Sequence, residues 1–331
     1  MAKKERLIQF FDLDLFGKTR AKGMAKQIYP TPRTMPEIMG ELKLLAKYNR
    51  AEGKLSSRST KYFRLEEIKT QKVNGEEYST LLINCIDPNA KNLVVNFTGK
   101  YSTSKRDIIR LGNKKGLETS VHIIIKHDKN SNKKHLALFE KSEHLGFLEV
   151  ISFLNCLFKL AAKFNHTKYT KPHPNGANNK TINMFSKVTY LGHPSADFFN
   201  ELESGIISNI TLTSGLESVS GYDIKQHSEL KEVRMTMGVK KSDIVFAGGN
   251  RKYLKRAIKI ADSLKASEVR IAFKDQTGAH RSAKLDSSGQ MYDSDRYVRK
   301  ANILGGDDLW DTALQSIDAK LVSNMLGLVS P

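Results

Sequence analysis

The chain has 331 residues, with 54 Lys and Arg against 35 Asp and Glu and a formal net charge of +19. Apolar residues make up 39%, enough for a real core, and no run of about 18 apolar residues occurs that would cross a bilayer. The two cysteines, Cys85 and Cys156, leave no disulfide framework or zinc set and read as buried free thiols in a reducing, cytoplasmic setting.

Length predicts about two domains, at roughly 100–200 residues each. The opening MAKKERLIQFFDLDLF has a short apolar part broken by Asp12 and Asp14, and does not read as a signal peptide. Residues 18–36 are basic and hold Pro30, Pro32 and Pro36, as an extended arm would. Pro36 then opens a helix over 37–52, with Ile38, Leu42, Leu45 and Ala46 at helical spacing. Strands over 62–73 and 77–86 flank Asn74-Gly75, the strongest short hairpin signal, and 93–97 adds another strand. A second hairpin runs through 122–127 and 135–140, and 147–164 is a mostly apolar helix belonging to the core. The stretch 165–180 is rich in Asn, Pro, Lys and His, as a loop or hinge is.

Beyond it the pattern is strand (206–212), strand (228–237), helix (251–265), strand (268–274), strand (279–285), with a turn at Asp275-Gln276-Thr277-Gly278. The predicted fold class is α+β, in two domains that are each an antiparallel β-sheet with packed helices. Residues 1–165 form the first domain, 166–200 a loop or hinge region, and 201–331 the second, which carries the helix 251–265.

That helix, RKYLKRAIKIADSLK, concentrates the charge. Leu254, Ala257, Ile258, Ala261 and Leu264 make one apolar face, while Lys252, Lys255, Arg256 and Lys259 fall opposite. An ordinary solvated helix face mixes signs; here only Asp262 lies near. The excess is not local. Residues 1–72 hold 17 Lys and Arg against 8 acids, 91–134 hold 11 against 3, and 249–300 hold 13 against 6. Only the tail is acidic, with Asp307, Asp308 and Asp311 around Trp310. Such an excess repels itself in a compact fold and implies an anionic partner, nucleic acid before others. Lys114 and Lys115, within the basic stretch 91–134, join the candidate contacts.

Catalytic signals are sparse. FTGKYS lacks the upstream glycine of a phosphate loop. The amides of Gly248-Gly249-Asn250 could meet a phosphate at the helix start; the plainer reading is a loop with Asn250 as cap. His122, His127, His135, His166 and His173 have no Cys or carboxylate at metal-ligand spacing, although His122 and His135 sit on facing strands. No catalytic residue, cofactor or metal is expected. The rival reading is a divergent metal-dependent nuclease whose carboxylates are Asp12, Asp14 and Glu140. Tyr62, Phe63, Tyr101, Tyr169, Tyr253, Tyr292 and Tyr297 lie beside Lys or Arg, a pairing that suits stacking on unpaired bases.

KYLKRAIKIADSL followed by EVRIAFKDQTGAHRSAKLDSSGQ resembles the C-terminal part of RexA-type phage-exclusion proteins, where a basic helix precedes a strand and a K-D-x-x-G turn. HLALFEK and the helix containing SFLNCLFK are similar to a pattern in small phage-defence proteins. The likeness covers about a third of the chain. It implies a two-domain, homodimeric protein that binds DNA, in preference to RNA, without sequence specificity and takes part in phage defence. By position it gives DNA contact to Arg251, Lys252, Lys255, Arg256 and Lys259, with Lys274 and Arg281. It also implies a separate effector protein as partner. The chain departs from the family in its length and its more basic N-terminal part, which bears on that partner first.

Overall fold

The computed structural model describes residues 5–19, 28–90, 93–95, 107–109, 115–128, 134–142, 144–172, 181–215, 232–292, 296–305 and 313–329. The class is α+β, with two larger antiparallel sheets, a separate two-stranded pair (Leu93–Val95 with Asp107–Ile109) and packed helices. The chain forms two compact units. One gathers Met1–Ile8, Leu13–Thr189 and Ala301–Pro331; the other gathers Gln9–Asp12 and Tyr190–Lys300.

The elements begin with β1 (Glu5–Thr19), α1 (Met35–Lys47), β2 (Glu52–Gly53), β3 (Tyr62–Val73) and β4 (Glu76–Asp87). Then come β5 (Leu93–Val95), β6 (Asp107–Ile109), β7 (Leu117–His127), β8 (His135–Glu140), α2 (Phe147–Phe164), β9 (Thr170–Pro172) and β10 (Thr181–Gly192). They continue as α3 (Ala196–Ser204), β11 (Ile206–Gly215), β12 (Glu232–Gly238), α4 (Lys241–Ala247) and α5 (Asn250–Ser263). The last are β13 (Glu268–Lys274), β14 (His280–Leu285), β15 (Lys300–Leu304) and α6 (Ala319–Gly327).

The larger sheet runs β2-β3-β4-β7-β8-β1-β10-β9, with β15 also paired to β1. Its clearest local cause is the β3–β4 hairpin. Asn74 and Gly75 both take positive φ (52° and 79°), the pair of left-handed residues that a two-residue hairpin loop requires. The helix expected over 37–52 stops at Lys47, because Asn49 turns left-handed (φ 52°) and Glu52 and Gly53 pair with Arg64 and Phe63. Its start is fixed by Glu37, whose carboxylate accepts from the Thr34 N–H at 2.8 Å. α2 lays Phe153 on Phe63 (ring centroids 5.4 Å apart) and Phe147 on Phe139 (5.0 Å). Each ring so buried contributes about 2 kcal/mol.

Two expectations are corrected here. The region 166–200 is not a loop throughout: β9 and β10 pair, Thr181 opposite Pro172, and α3 follows. Its strand alternation runs through Ile182, Met184, Ser186 and Val188, where a buried serine and interleaved Asn and Lys disguise the pattern. The last residues also do not stay with 201–300. α6 buries Leu321, Val322, Met325 and Leu326 in the first unit. The segment before it is tied there by Leu314 N–H to Ser120 Oγ (2.7 Å), Ile317 N–H to Glu67 (2.7 Å) and Asp318 N–H to His122 Nε2 (3.2 Å).

The second unit carries a four-stranded sheet, β12-β11-β13-β14, antiparallel throughout. One face is packed by α3 and α5 through Phe198, Leu202, Leu254, Ala257 and Ala261 against Ile210, Ile271 and Phe273. The predicted turn at Asp275 forms, with its Oδ1 accepting from Thr277 N–H (2.9 Å) and Ala279 N–H (3.0 Å) and Gly278 at φ 81°. Among the described residues no helix is long and apolar enough to cross a membrane.

Candidate nucleic-acid interface

α5 supplies the geometry the sequence anticipates. Leu254, Ala257 and Ala261 are buried, and Lys252, Lys255, Arg256 and Lys259 are exposed. Among the described residues no carboxylate lies within ion-pair distance of any of these four cations. Their charge is therefore uncompensated among the described residues and available to a polyanion.

The N-terminus of this helix is not available. The Glu203 carboxylate accepts from the Arg251 N–H at 2.8 Å and crowds Gly249, whose φ of 114° suits glycine. A phosphate at Gly248-Gly249-Asn250 would displace a carboxylate that already meets the helix dipole. Nor does Asn250 cap its own helix. Its buried Nδ2 donates to the carbonyls of Leu202 (2.7 Å) and Gly205 (2.8 Å), which belong to the last turn of α3 and the residue after it.

The other expected contacts do not join the stripe. Arg251 is exposed but lies 4.3 Å over the Phe199 ring. Lys274 leaves the opposite face of its sheet: Val269, Ile271 and Phe273 are buried beneath the helices, while Arg270 and Lys274 alternate outward. Arg281 is occupied, with Nε and Nη2 each 2.9 Å from Asp275 Oδ2. The Thr277 hydrogen bond, with the Arg281 charge, holds the Asp275 carboxyl below the usual carboxylate range. Arg281 lines an open cleft of about 650 Å³ with Glu201, Glu203, Asp275 and Arg296. Arg296 is in turn 2.7 Å from Glu201, so both guanidinium groups there are matched and the cleft offers a phosphate little. Lys115 is exposed ahead of β7 in the first unit, and Lys114 lies outside the described residues.

Of the six interleaved aromatics among the described residues, Phe63, Tyr169 and Tyr297 are buried and Tyr62, Tyr253 and Tyr292 are half-buried. Phe63 is 0% exposed. Tyr169 is buried and donates to Glu41 at 2.6 Å, and Tyr297 donates to Glu201 at 2.8 Å. Tyr101 lies outside the described residues. The most exposed ring among the described residues is one the sequence reading passed over: Phe246, in α4, is 84% exposed, and its neighbour Val245 is 72% exposed. The Arg256 guanidinium sits 5.5 Å from the Phe246 centroid. A signal was present in SDIVFAGG. Four consecutive apolar residues in a helix of two turns exceed one face, so part of that run must meet solvent.

The carboxylates of the nuclease reading sit in separate settings. Asp12 bonds His193 Nε2 (2.9 Å) and the Gln290 amide. Asp14 is exposed. Glu140 is buried and accepts from the His122 N–H (3.0 Å) and from His122 Nδ1 (2.8 Å). Because His122 Nε2 accepts from Asp318, its proton sits on Nδ1 and the ring is a neutral connector between β7, β8 and α6. The register Ile125 opposite Ala137 runs on to set His127, and not His122, toward His135. His127 and His135 are both buried, and burial lowers the pKa of each. His166 is exposed and His173 lies outside the described residues. Among the described residues no three His, Cys, Asp or Glu side chains gather as a metal-holding group. Cys85 is buried, with its thiol pushed up to about 12 by that burial, and Cys156 is half-buried.

Comparison with protein-family models, with curated proteins and with solved structures found no match for this chain.

Proposed function

We propose that the protein binds nucleic acid without sequence preference, gripping phosphates with Lys252, Lys255, Arg256 and Lys259. The observation that carries this is the one-sided set of cations on α5 with no ion-pair partner among the described residues, in a chain of net charge +19. Each phosphate neutralised releases counterions, so affinity depends on charge count and salt, and no base edge need be read. The preference for DNA over RNA, the homodimer and the role in phage defence, with a separate effector, belong to the same proposal. They rest on the likeness of KYLKRAIKIADSL and EVRIAFKDQTGAHRSAKLDSSGQ to RexA-type proteins.

The test is binding of labelled duplex DNA and RNA across a salt series, with and without magnesium, for the native chain and for the triple neutralisation Lys255→Ala, Arg256→Ala, Lys259→Ala. The native protein is expected to bind tightly at low salt and lose affinity steeply. The triple variant, folded as judged by circular dichroism, should show a log–log salt slope shallower by about 3 units. An unchanged slope would remove α5 from the interface. Cleavage products accumulating only with magnesium would replace the proposal with the nuclease.

A further inference from the structure

Resting on the proposal that α5 contacts phosphates, we infer that the preferred ligand is a single strand, one of whose bases stacks on Phe246. Two independent features converge at this corner. The first is the basic face of α5. The second is an aromatic ring left almost bare at the end of α4, on the two-turn helix that immediately precedes α5. The Arg256 guanidinium links them, since it belongs to the basic face and also lies over the Phe246 ring.

The link between the two helices is a defined turn. Gly248 takes φ 80°, its N–H donates to Val245 O (3.0 Å), and the Gly249 N–H donates to Ile244 O (3.1 Å). The Lys252 side chain lies across Gly248, close enough that a Cβ built there would be 3.3 Å from its Nζ. Ring and cations are thus held in one arrangement and do not sit on separate mobile arms.

The chemistry separates single strand from duplex. Phosphate contacts alone serve both. A base stacks on a protein ring only when its own face is uncovered, and in a duplex interior both faces are already stacked. Positively charged grooves combined with aromatic platforms are the general device for holding single strands without sequence preference. A protein partner is the other occupant an exposed Val245-Phe246 pair could take. Four flanking cations without carboxylate partners among the described residues favour a polyanion over an apolar protein surface.

The experiment uses the full chain and three labelled probes of equal length: oligothymidylate, an abasic single strand, and a duplex. The native protein is expected to bind oligothymidylate about 10-fold more tightly than the abasic strand. Phe246→Ala should erase that ratio, and Phe246→Trp should keep it. Reversing Lys252, Lys255 and Lys259 to Glu should weaken all three probes together. Binding with a ratio untouched by Phe246→Ala overturns this inference alone and assigns the ring to a protein contact. No binding of any probe at low salt overturns the phosphate reading beneath it.

Discussion

The side-chain amide of Asn250 donates to the carbonyl of Leu202 at 2.7 Å, so the first residue of α5 completes the last turn of α3. The same amide reaches the carbonyl of Gly205 at 2.8 Å. A helix C-terminus ends in carbonyls that lack intrahelical partners, and inside a packed layer water is not there to serve them. One buried side chain thus fixes how the two helices of the second unit meet.

Asn250→Ala should therefore destabilise the protein by about 2 kcal/mol, the cost of taking a buried donor from the carbonyls of Leu202 and Gly205 together with lost packing. Denaturant unfolding followed by circular dichroism measures this. A loss within about 0.5 kcal/mol, the range of ordinary surface changes, would show that the contact does not hold the helices together.

Glu140 separates a structural role from a catalytic one. Glu140→Ala would leave the buried His122 N–H and Nδ1–H without this acceptor and remove the carboxylate that lies 3.5 Å from the Arg6 guanidinium. A loss of about 3 kcal/mol or more is expected. Glu140→Gln keeps an acceptor oxygen and should recover part of it. Nucleic-acid binding by whatever fraction stays folded should be unaltered, which a binding titration normalised to folded protein checks.

His127 sets a pH dependence. Neither of its ring nitrogens has a hydrogen-bond partner among the described residues, and Glu77 is 3.7 Å from Nδ1. Burial lowers its pKa from the ordinary 6.5, against the pull of Glu77, and the neighbouring His135 adds to the lowering. The unfolded chain takes up its proton near the ordinary value, while the folded chain resists until lower pH. Stability is thus full above about 6.5 and declines as pH falls toward the folded value. Unfolding free energy measured from pH about 7 to about 5 should fall, and His127→Leu should flatten that slope. At neutral pH the variant should match the native protein or exceed it by about 1 kcal/mol, because an unpaired buried polar group has gone.

The two thiols should react differently. The Cys85 thiol, pushed up to about 12, carries almost no thiolate at neutral pH and is 2% exposed. A native titration with a thiol reagent should therefore label Cys156 alone, and denaturation should expose the second site. Fast labelling of Cys85 in the native state would mean that β4 opens locally.

Much of this fold could be read from local chemistry, because its causes are local. Asn74-Gly75 dictates a hairpin from two residues. α2 and α5 declare themselves by apolar spacing, and the four cations of α5 follow from the same wheel. What escaped reading depends on partners distant in sequence. α6 is short, and the anchors of the segment before it, Glu67, Ser120 and His122, lie 194 to 250 residues earlier. Lys274 and Arg281 looked like neighbours of the basic helix. Strand alternation sends Lys274 to the other face, and Asp275 engages Arg281. The aromatic candidates failed for a related reason: standing beside a basic residue in sequence does not decide which way a ring points.

The return of Ala301–Pro331 to the first unit has a consequence for how the molecule is made. The ribosome releases α6 only after the whole of Tyr190–Lys300 has emerged. The inserted unit can fold while its host still lacks the segment that hydrogen-bonds Ser120, Glu67 and His122. The host thus cannot reach its final form until that segment has emerged, whichever unit begins to fold first. A chain interrupted anywhere before residue 314 would leave those three groups facing an empty sheet surface, and separating the two units as independent fragments would take more than one cut.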